Sequence, residues 1–257
     1  MPRYALIIEY EGSQFIGWQR QANGNSVQGT LEKALRQLDP DASDVTAAGR
    51  TDSGVHAYGQ VVHCDVRRDW DAGRLCDALN AHLRSARVSV LRAASVDSGF
   101  SARFSAVRRV YLYRIIMRRA PLAHAPGLAW RVAVNLDSTA MQRASAHLIG
   151  THDFTTFCAT HCQAESPIKT LDRLTIQEIP VLYGRELHIR AEARSFLHRQ
   201  IRSIVGSLER VGAGAMSADQ LRDALHACDR STCGPVAPAT GLYLERVDYD
   251  PDPFRRT

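Results

Sequence analysis

The chain is organised around one loop, Ala47-Ala48-Gly49-Arg50-Thr51-Asp52-Ser53-Gly54-Val55-His56-Ala57. Strand-like segments precede and follow this loop, and its glycines allow the backbone to turn tightly or to approach a bound group. Arg50 and Asp52 are two residues apart, so in an extended loop their side chains can project the same way. This spacing fits a carboxylate that a cation holds ionised and oriented, as a nucleophile or general base requires. It also fits a turn closed by a surface ion pair.

Composition and charge place the chain among soluble globular proteins. Of its 257 residues, 45% are hydrophobic and 23% are charged. No apolar run approaches the roughly 20 residues that a membrane-spanning helix needs. The chain starts with a short apolar stretch that contains a charged residue, which indicates a strand and not a signal peptide. We therefore expect a cytoplasmic protein without a membrane segment.

The positive charge of the chain is carried almost entirely by arginine. The formal net charge is +5, and lysine occurs only at Lys33 and Lys169. Guanidinium groups bind phosphates bidentately and stack on bases, so this composition favours RNA as a partner. Biased amino-acid usage in the source genome produces the same composition, and the sequence alone leaves both interpretations open.

The chain contains six cysteines. In a chain of this length without a signal peptide, we expect free thiols. His152, Cys158, His161 and Cys162 have the chemistry of zinc ligands, but three of the four lie within five residues, which is unfavourable for tetrahedral coordination. We therefore predict no metal site, and zinc at this cluster is the alternative.

The order of the predicted elements determines the expected fold. Periodicity and capping residues predict a strand at 4–10, a helix at 27–38, strands before and after the loop, a helix at 72–83 and a strand at 88–94. The same order follows at 109–117, 137–148, 171–179, 187–193, 196–211 and 241–249, with an additional helix at 218–227. This repeated βαββαβ order predicts an α+β protein of two ferredoxin-like halves with antiparallel sheets, at residues 1–104 and 105–257.

Three further segments carry side chains suited to RNA. Tyr111 and Tyr113 share one face of a predicted strand, where they either stack on a base or belong to the core. Arg202 lies in the predicted helix at 196–211, where a surface position is the ordinary expectation. Leu242 begins an apolar strand and either contacts a ring of the substrate or packs in the core. Each segment alone is weak support for a function.

Together, these segments resemble the tRNA pseudouridine synthase A family. The most specific match is the motif Gly-Arg-Thr-Asp-x-Gly-Val-His at residues 49–56, and the other matches follow in the family's order over nearly the whole chain. They are Arg103-Phe104-Ser105-Ala106 with Arg109, Tyr111 and Tyr113, then residues 196–206, and then Pro238-Ala239-Thr240-Gly241-Leu242. One departure is Gln200-Ile201, where the family often has Met-Val before the arginine that corresponds to Arg202.

The resemblance implies an activity and roles for named residues. It implies catalytic roles for Asp52, the nucleophile, and for Arg50, Tyr111 and Arg202. It implies substrate contacts for Arg50, His56, Tyr111 and Leu242. The implied reaction is the isomerisation of uridine to pseudouridine at positions 38, 39 and 40 of the tRNA anticodon stem-loop, by a homodimer whose ferredoxin-like halves flank a basic RNA-binding cleft. Because the base is never released, the resemblance implies no metal or other cofactor.

The chemistry of this reaction agrees with the residues of the loop. The target base must leave the stack before a side chain reaches it. Asp52 supplies a carboxylate, and the sequence leaves open whether it attacks the sugar or the uracil ring. Tyr111 stacks on the flipped base or takes part in removing the ring proton. The alternatives are a synthase for another RNA, an RNA-binding protein without catalysis, and a metal-dependent hydrolase using the cluster at 152–162.

Overall fold

The structure of the protein is a computed structural model that describes residues 1–22, 24–160, 162 and 164–255. Its strands are β1 (Arg3–Tyr10), β2 (Thr46–Ala47), β3 (His56–Asp65), β4 (Val88–Val96), β5 (Ala106–Met117), β6 (Trp130–Val132), β7 (Gly150–Asp153), β8 (Ile168–Leu171), β9 (Arg173–Pro180), β10 (Arg185–Ala193) and β11 (Leu242–Tyr249). Its α-helices are α1 (Val27–Leu38), α2 (Ala72–Leu83), α3 (Ser138–Ser145), α4 (Gln200–Gly212) and α5 (Ala218–Ala227). The predicted combination of α-helices with a mainly antiparallel sheet is confirmed.

Local sequence signals account for the helix starts. The Ser26 side chain accepts a hydrogen bond from the backbone of Gly29 and begins α1, and Asp71 does the same for Arg74 at the start of α2. In α2, Leu75, Leu79 and Leu83 recur at helical spacing and are buried. The predicted starts of both helices are therefore confirmed.

The chain forms two compact units, Met1–Arg109 with Tyr243–Thr257, and Val110–Leu242. In the first unit, β1 lies between β3 and β4 and pairs with both in antiparallel orientation. The short strand β2 also pairs with β3 in antiparallel orientation, and α2 packs on β4. This sheet places the loop after β2 beside the ends of β1 and β3.

The compact units divide the chain after Arg109 and after Leu242, and the division into halves at residues 1–104 and 105–257 stays a prediction. Strand β11, expected in the second half, joins the first unit, where Tyr243 is aligned with His56 and Leu244 with Ala57 in a parallel pairing with β3. The pairing is long-range in sequence, so element order alone does not reveal it.

In the second unit, β10 lies between β5 and β9, and its pairing with β9 is antiparallel. Strand β6 pairs with β5 in parallel orientation, and β7 and β8 form a separate antiparallel pair. Helix α3 packs against α4, α5 and β9. No helix among the described residues is long and apolar enough to cross a membrane.

One predicted helix begins later than its periodicity indicates. The spacing predicts a helix over residues 196–211, but α4 begins at Gln200, because Arg199 has a left-handed conformation with φ of 61°. A right-handed helix does not continue through a left-handed residue. Phe196 therefore lies in the segment before α4 and not on the helix surface.

Candidate active site

Hydrogen bonds at Thr51 and a backbone bridge at Asp52 hold the loop in place. Tyr10 and Thr51 share a hydrogen bond between their hydroxyl groups at 2.8 Å, and the amide of Trp18 donates to the carbonyl of Thr51 at 3.0 Å. Gly17 forms an isolated antiparallel bridge with Asp52. Tyr10 and Trp18 are buried, with ring centroids 6.2 Å apart. The aromatic residues before α1 thus anchor the loop to the core.

Further hydrogen bonds hold the rest of the loop. Gln60 donates from Nε2 to the carbonyl of Gly49 at 2.7 Å, and Arg109 donates from Nη2 to the carbonyl of Ala48 at 2.8 Å. The amide of Val55 closes a turn by donating to the carbonyl of Asp52 at 3.1 Å. Asp52 is half-buried on this fixed backbone. A carboxylate mounted in this way loses little freedom when a substrate binds.

Two glycines permit the close approach of the segment before α1. A Cβ added to Gly12 would lie 2.0 Å from the carbonyl oxygen of Val55. Gly17 has φ of +116°, and a Cβ there would lie 2.9 Å from the carbonyl oxygen of Thr51. Only glycine adopts such a backbone at this separation without strain.

His56 is a buried neighbour of the loop, with only 1% of its surface exposed. Its Nδ1 accepts a hydrogen bond from the amide of Gly12 at 3.0 Å, and its ring stacks on Tyr243 with centroids 4.6 Å apart. Tyr58 also stacks on Tyr243, at 4.5 Å, and its ring is partly exposed. These contacts make His56 a support for the segment before α1, and its predicted contact with substrate stays a prediction.

In the second unit, the two tyrosines of β5 occupy different environments. Tyr113 is fully buried, its hydroxyl donates to the carbonyl of Pro238 at 2.7 Å, and burial raises its pKa. Tyr111 is half-buried, and its ring contacts that of Phe196 edge-to-face at 5.3 Å. Tyr113 therefore belongs to the core, and Tyr111 is the more accessible of the two.

Arg202 is held by the chain that leads into β11. Its Nε donates to the carbonyl of Ala237 at 2.8 Å, and the amide of Ala237 donates to the carbonyl of Arg202 at 3.0 Å. Gly206, one turn later, allows the backbone at Pro235 to pack directly against α4, because an added Cβ would lie 1.7 Å from the carbonyl oxygen of Pro235. Leu242 begins β11 and is 6% exposed.

The first unit brings together three of the predicted site residues, Arg50, Asp52 and His56, on one loop. The second unit holds the other three, Tyr111, Arg202 and Leu242. The predicted ion pair of Arg50 with Asp52 and the roles of all six residues stay predictions. Sequence reasoning missed the supporting contacts of Tyr10, Gln60 and Tyr243. Gln60 had a signal, because it places an uncharged polar side chain within the apolar run of β3.

The zinc alternative finds no support in the part of the chain that the structure describes. Residues 1–22, 24–160, 162 and 164–255 contain no group of three or more His, Cys, Asp or Glu side chains that could hold a metal ion. His161, one of the four candidate ligands, lies outside the described residues. Cys158 and Cys162 are free thiols.

Comparisons with known proteins agree on one family. The family model described as "tRNA pseudouridine synthase" matches residues 6–105 and 144–250. The chain is 58% identical over 257 residues to a tRNA pseudouridine synthase A of Cereibacter sphaeroides, with all of both chains covered. A protein of the same name from Paracoccus denitrificans is 58% identical over 257 residues, covering 99% of this chain and 98% of the relative. One from Roseobacter denitrificans is 55% identical over 254 residues, with the same coverage.

Proposed function

The chain belongs to the tRNA pseudouridine synthase family, and we propose that it converts uridine to pseudouridine in tRNA with Asp52 as the nucleophile. One observation carries the assignment of Asp52. Its loop is fixed by Gly17, Thr51 and Gln60, whereas Asp52 itself is half-buried and not enclosed in the core. A nucleophile requires both a fixed position and access to the substrate.

The reaction is an isomerisation in which atoms balance within the substrate. The bond between N1 of uracil and C1′ of the ribose breaks, the base rotates, and a bond forms between C5 and C1′. C5 loses its hydrogen as a proton, and N1 gains one. The Asp52 carboxylate adds either to C1′ or to the uracil ring and is regenerated at the end. Arg50 orients this carboxylate, and Tyr111 stacks on the flipped base or accepts the proton from C5.

The proposal places the target uridines at positions 38, 39 and 40 of the anticodon stem-loop, as the resemblance implies. It includes two ferredoxin-like halves that flank a basic RNA-binding cleft. Support for the first half comes from its strand order, β4-β1-β3-β2, with α1 and α2 in the connections. This order is that of a ferredoxin-like unit.

The proposal also includes a homodimer in the cytoplasm, on the strength of the family resemblance. Sedimentation equilibrium tests the assembly, since a dimer has twice the 28.5 kDa of one chain. A mass of one chain at micromolar concentration contradicts the dimer and leaves the proposed chemistry untouched.

The experiment for the reaction is tritium release from unmodified tRNA labelled at C5 of uridine. We expect release by the wild type and none by Asp52→Ala or Asp52→Asn, because forming the C5–C1′ bond expels that hydrogen. Asp44→Ala is the matched control: it removes an exposed carboxylate that pairs with Arg36 and Arg20, and we expect wild-type release. Tritium release by Asp52→Ala contradicts the assignment of Asp52 as the nucleophile. No release by the wild type, with tRNA binding intact, favours RNA binding without catalysis or a synthase for another RNA.

Two further variants separate the roles in the second unit. Tyr111→Phe keeps the ring and removes the hydroxyl, so it retains activity if Tyr111 only stacks and loses it if the hydroxyl accepts the proton. Arg202→Gln keeps a donor toward the carbonyl of Ala237 and removes the charge. A loss of turnover in this variant without a loss of thermal stability supports a role of the charge in the reaction.

A further inference from the structure

The turn between β4 and β5 exposes a phenylalanine. In the first unit, 75% of the surface of Phe104 is accessible to solvent. Single exposed apolar residues are common on protein surfaces, so exposure alone carries no inference. The surroundings of Phe104 distinguish it from such a residue.

A cation lies over the ring of Phe104. The guanidinium carbon of Arg103 is 5.2 Å from the ring centroid, and Arg103 is itself exposed. The pair presents a flat aromatic surface next to a positive charge. This is the combination that single-stranded RNA requires, since a base stacks on the ring while the cation attracts the phosphate.

The turn that carries this pair is held by its own side chains. The amide of Phe104 donates to Oγ of Ser101 at 3.3 Å, and the amide of Ser101 donates to Oγ of Ser105 at 3.0 Å. The amide of Ser105 also donates to the carbonyl of Ser101, at 2.9 Å. The backbone beneath the exposed ring is therefore fixed before any ligand arrives, which lowers the entropy lost on binding.

The turn is also anchored to the sheet beneath it. Ala102 is fully buried, its amide donates to Nδ1 of His63 at 3.1 Å, and its carbonyl accepts from the hydroxyl of Tyr249 at 2.7 Å. Ala102 packs in the same buried cluster as Ala48. The turn with the exposed pair therefore packs on the same buried cluster as the beginning of the Asp52 loop.

Arg109 joins the two segments directly. Its Nη2 donates to the carbonyl of Ala48 at 2.8 Å and to the carbonyl of Arg103 at 2.6 Å. Ala48 precedes Asp52 by four residues. The turn with Arg103 and Phe104 therefore lies next to the beginning of the loop that carries the nucleophile, within reach of the same RNA.

We propose that Phe104 and Arg103 form a base-stacking subsite, which holds one unpaired nucleotide of the RNA substrate near the target uridine. Phe104 stacks on the base without reading its identity, and Arg103 attracts the phosphate of the same strand. The inference rests on the proposed function, because it takes tRNA as the substrate. It assigns RNA-binding roles to two residues outside the six predicted for the site.

The test is the affinity for an anticodon stem-loop RNA, measured by fluorescence anisotropy in an Asp52→Asn background so that the substrate persists. We expect Phe104→Ala to weaken binding about tenfold, the order of the loss when one base–aromatic stack is removed. Phe104→Trp is expected to retain the affinity. Tyr183→Ala is the matched control, since it removes a ring that is also 75% exposed, on the turn between β9 and β10. Unchanged melting temperatures establish that the variants fold.

A thermodynamic cycle identifies the nucleotide. Abasic substitutions along the unpaired loop of the RNA are combined with Phe104→Ala, and we expect the effect of Phe104→Ala to vanish for the RNA that lacks the stacked base. Wild-type affinity of Phe104→Ala, or an equal loss for every abasic RNA, overturns the subsite. Failure of the proposed function is a separate result: the wild type then releases no tritium, whereas the binding cycle still reports whether Phe104 contacts a base.

Discussion

The side chain of Gln60 donates a hydrogen bond to the carbonyl of Gly49 at 2.7 Å, and Gln60 is completely buried. Gly49 precedes Arg50 and Asp52, so this bond fixes the point at which the loop leaves β2. An uncharged polar side chain in the interior of a strand is costly unless it is hydrogen-bonded. The bond compensates for the burial of Nε2, whereas Oε1 is buried without a hydrogen-bond partner among the described residues.

We predict that Gln60→Leu lowers kcat about tenfold and leaves the affinity for tRNA unchanged, because the loop backbone shifts while the RNA-binding surface stays intact. The free energy of unfolding is expected to fall by about 1 kcal/mol, the net value of a lost hydrogen bond. Single-turnover kinetics and thermal melts measure the two effects.

Gln142→Leu is the control for Gln60→Leu. The Gln142 amide donates to the carbonyl of Ile176 at 2.8 Å in the second unit, so the substitution removes a bond of the same type. Because Gln142 is exposed and Gln60 is buried, we expect a smaller loss of stability, with kcat unchanged. Equal losses of kcat in the two variants, at a temperature well below both melting transitions, are incompatible with a positioning role for Gln60.

Local signals were sufficient to predict the helices of the first unit. In α1 and α2, a capping side chain stands directly before an apolar repeat, and both signals depend only on neighbouring residues. The start of α4 was not predictable in this way. The apolar spacing continues back to Leu197, and the left-handed conformation of Arg199 leaves no trace in the periodicity.

The hydrogen bonds that hold the Asp52 loop could not be predicted from the sequence, for a different reason. The bonds from Tyr10 to Thr51 and from Arg109 to Ala48 join residues that are distant in sequence. Side chains of these types form hydrogen bonds in most environments, so residue type alone does not select the partner. The loop itself was found because its residues are contiguous.

Gly17 provides the second prediction. We expect Gly17→Ala to lower both stability and kcat, because its φ of +116° is strained for alanine and the new Cβ lies 2.9 Å from the carbonyl of Thr51. The destabilisation is about 1–3 kcal/mol, as for other residues held in such conformations. Gly99→Ala is the control, since its Cβ meets no atom within 4 Å. Wild-type kcat in Gly17→Ala, at a temperature where it is fully folded, contradicts a role of this contact in catalysis.

The third prediction concerns pH and His63. Burial and the nearby Arg3 lower the pKa of His63 from its usual 6.5, although Asp65 partly opposes them. The folded protein therefore binds fewer protons than the unfolded chain, so this contribution to stability is present above about pH 6.5 and is lost as the pH falls toward the lowered pKa.

His63→Gln tests this contribution by removing the titrating group. We expect the wild type to lose more stability than His63→Gln between pH 7.5 and pH 5.5, measured by urea unfolding. The hydrogen bond from the amide of Ala102 to Nδ1 is lost when His63 is protonated, so RNA affinity is expected to fall over the same range. Identical pH profiles of the two proteins contradict the prediction.

The last prediction concerns the buried carboxylate of Glu186 in the second unit. Burial opposes its ionisation, but hydrogen bonds from His188 at 2.8 Å and from Arg114 at 2.7 Å outweigh burial and lower its pKa to about 2. This contribution to stability is complete above the usual pKa of 4.5 and is lost as the pH falls through about 2.

We expect Arg114→Met to lower the free energy of unfolding at pH 7 by about 3 kcal/mol, because it removes the permanent cation from a buried carboxylate. The double variant Arg114→Met/Glu186→Gln is expected to recover part of the loss, since no uncompensated charge remains. Arg185→Met, on the strand that carries Glu186, is the control: it breaks an exposed ion pair with Glu178 and is expected to leave stability nearly unchanged. Urea unfolding at pH 7 measures all three, and equal losses in Arg114→Met and Arg185→Met contradict a special role of burial.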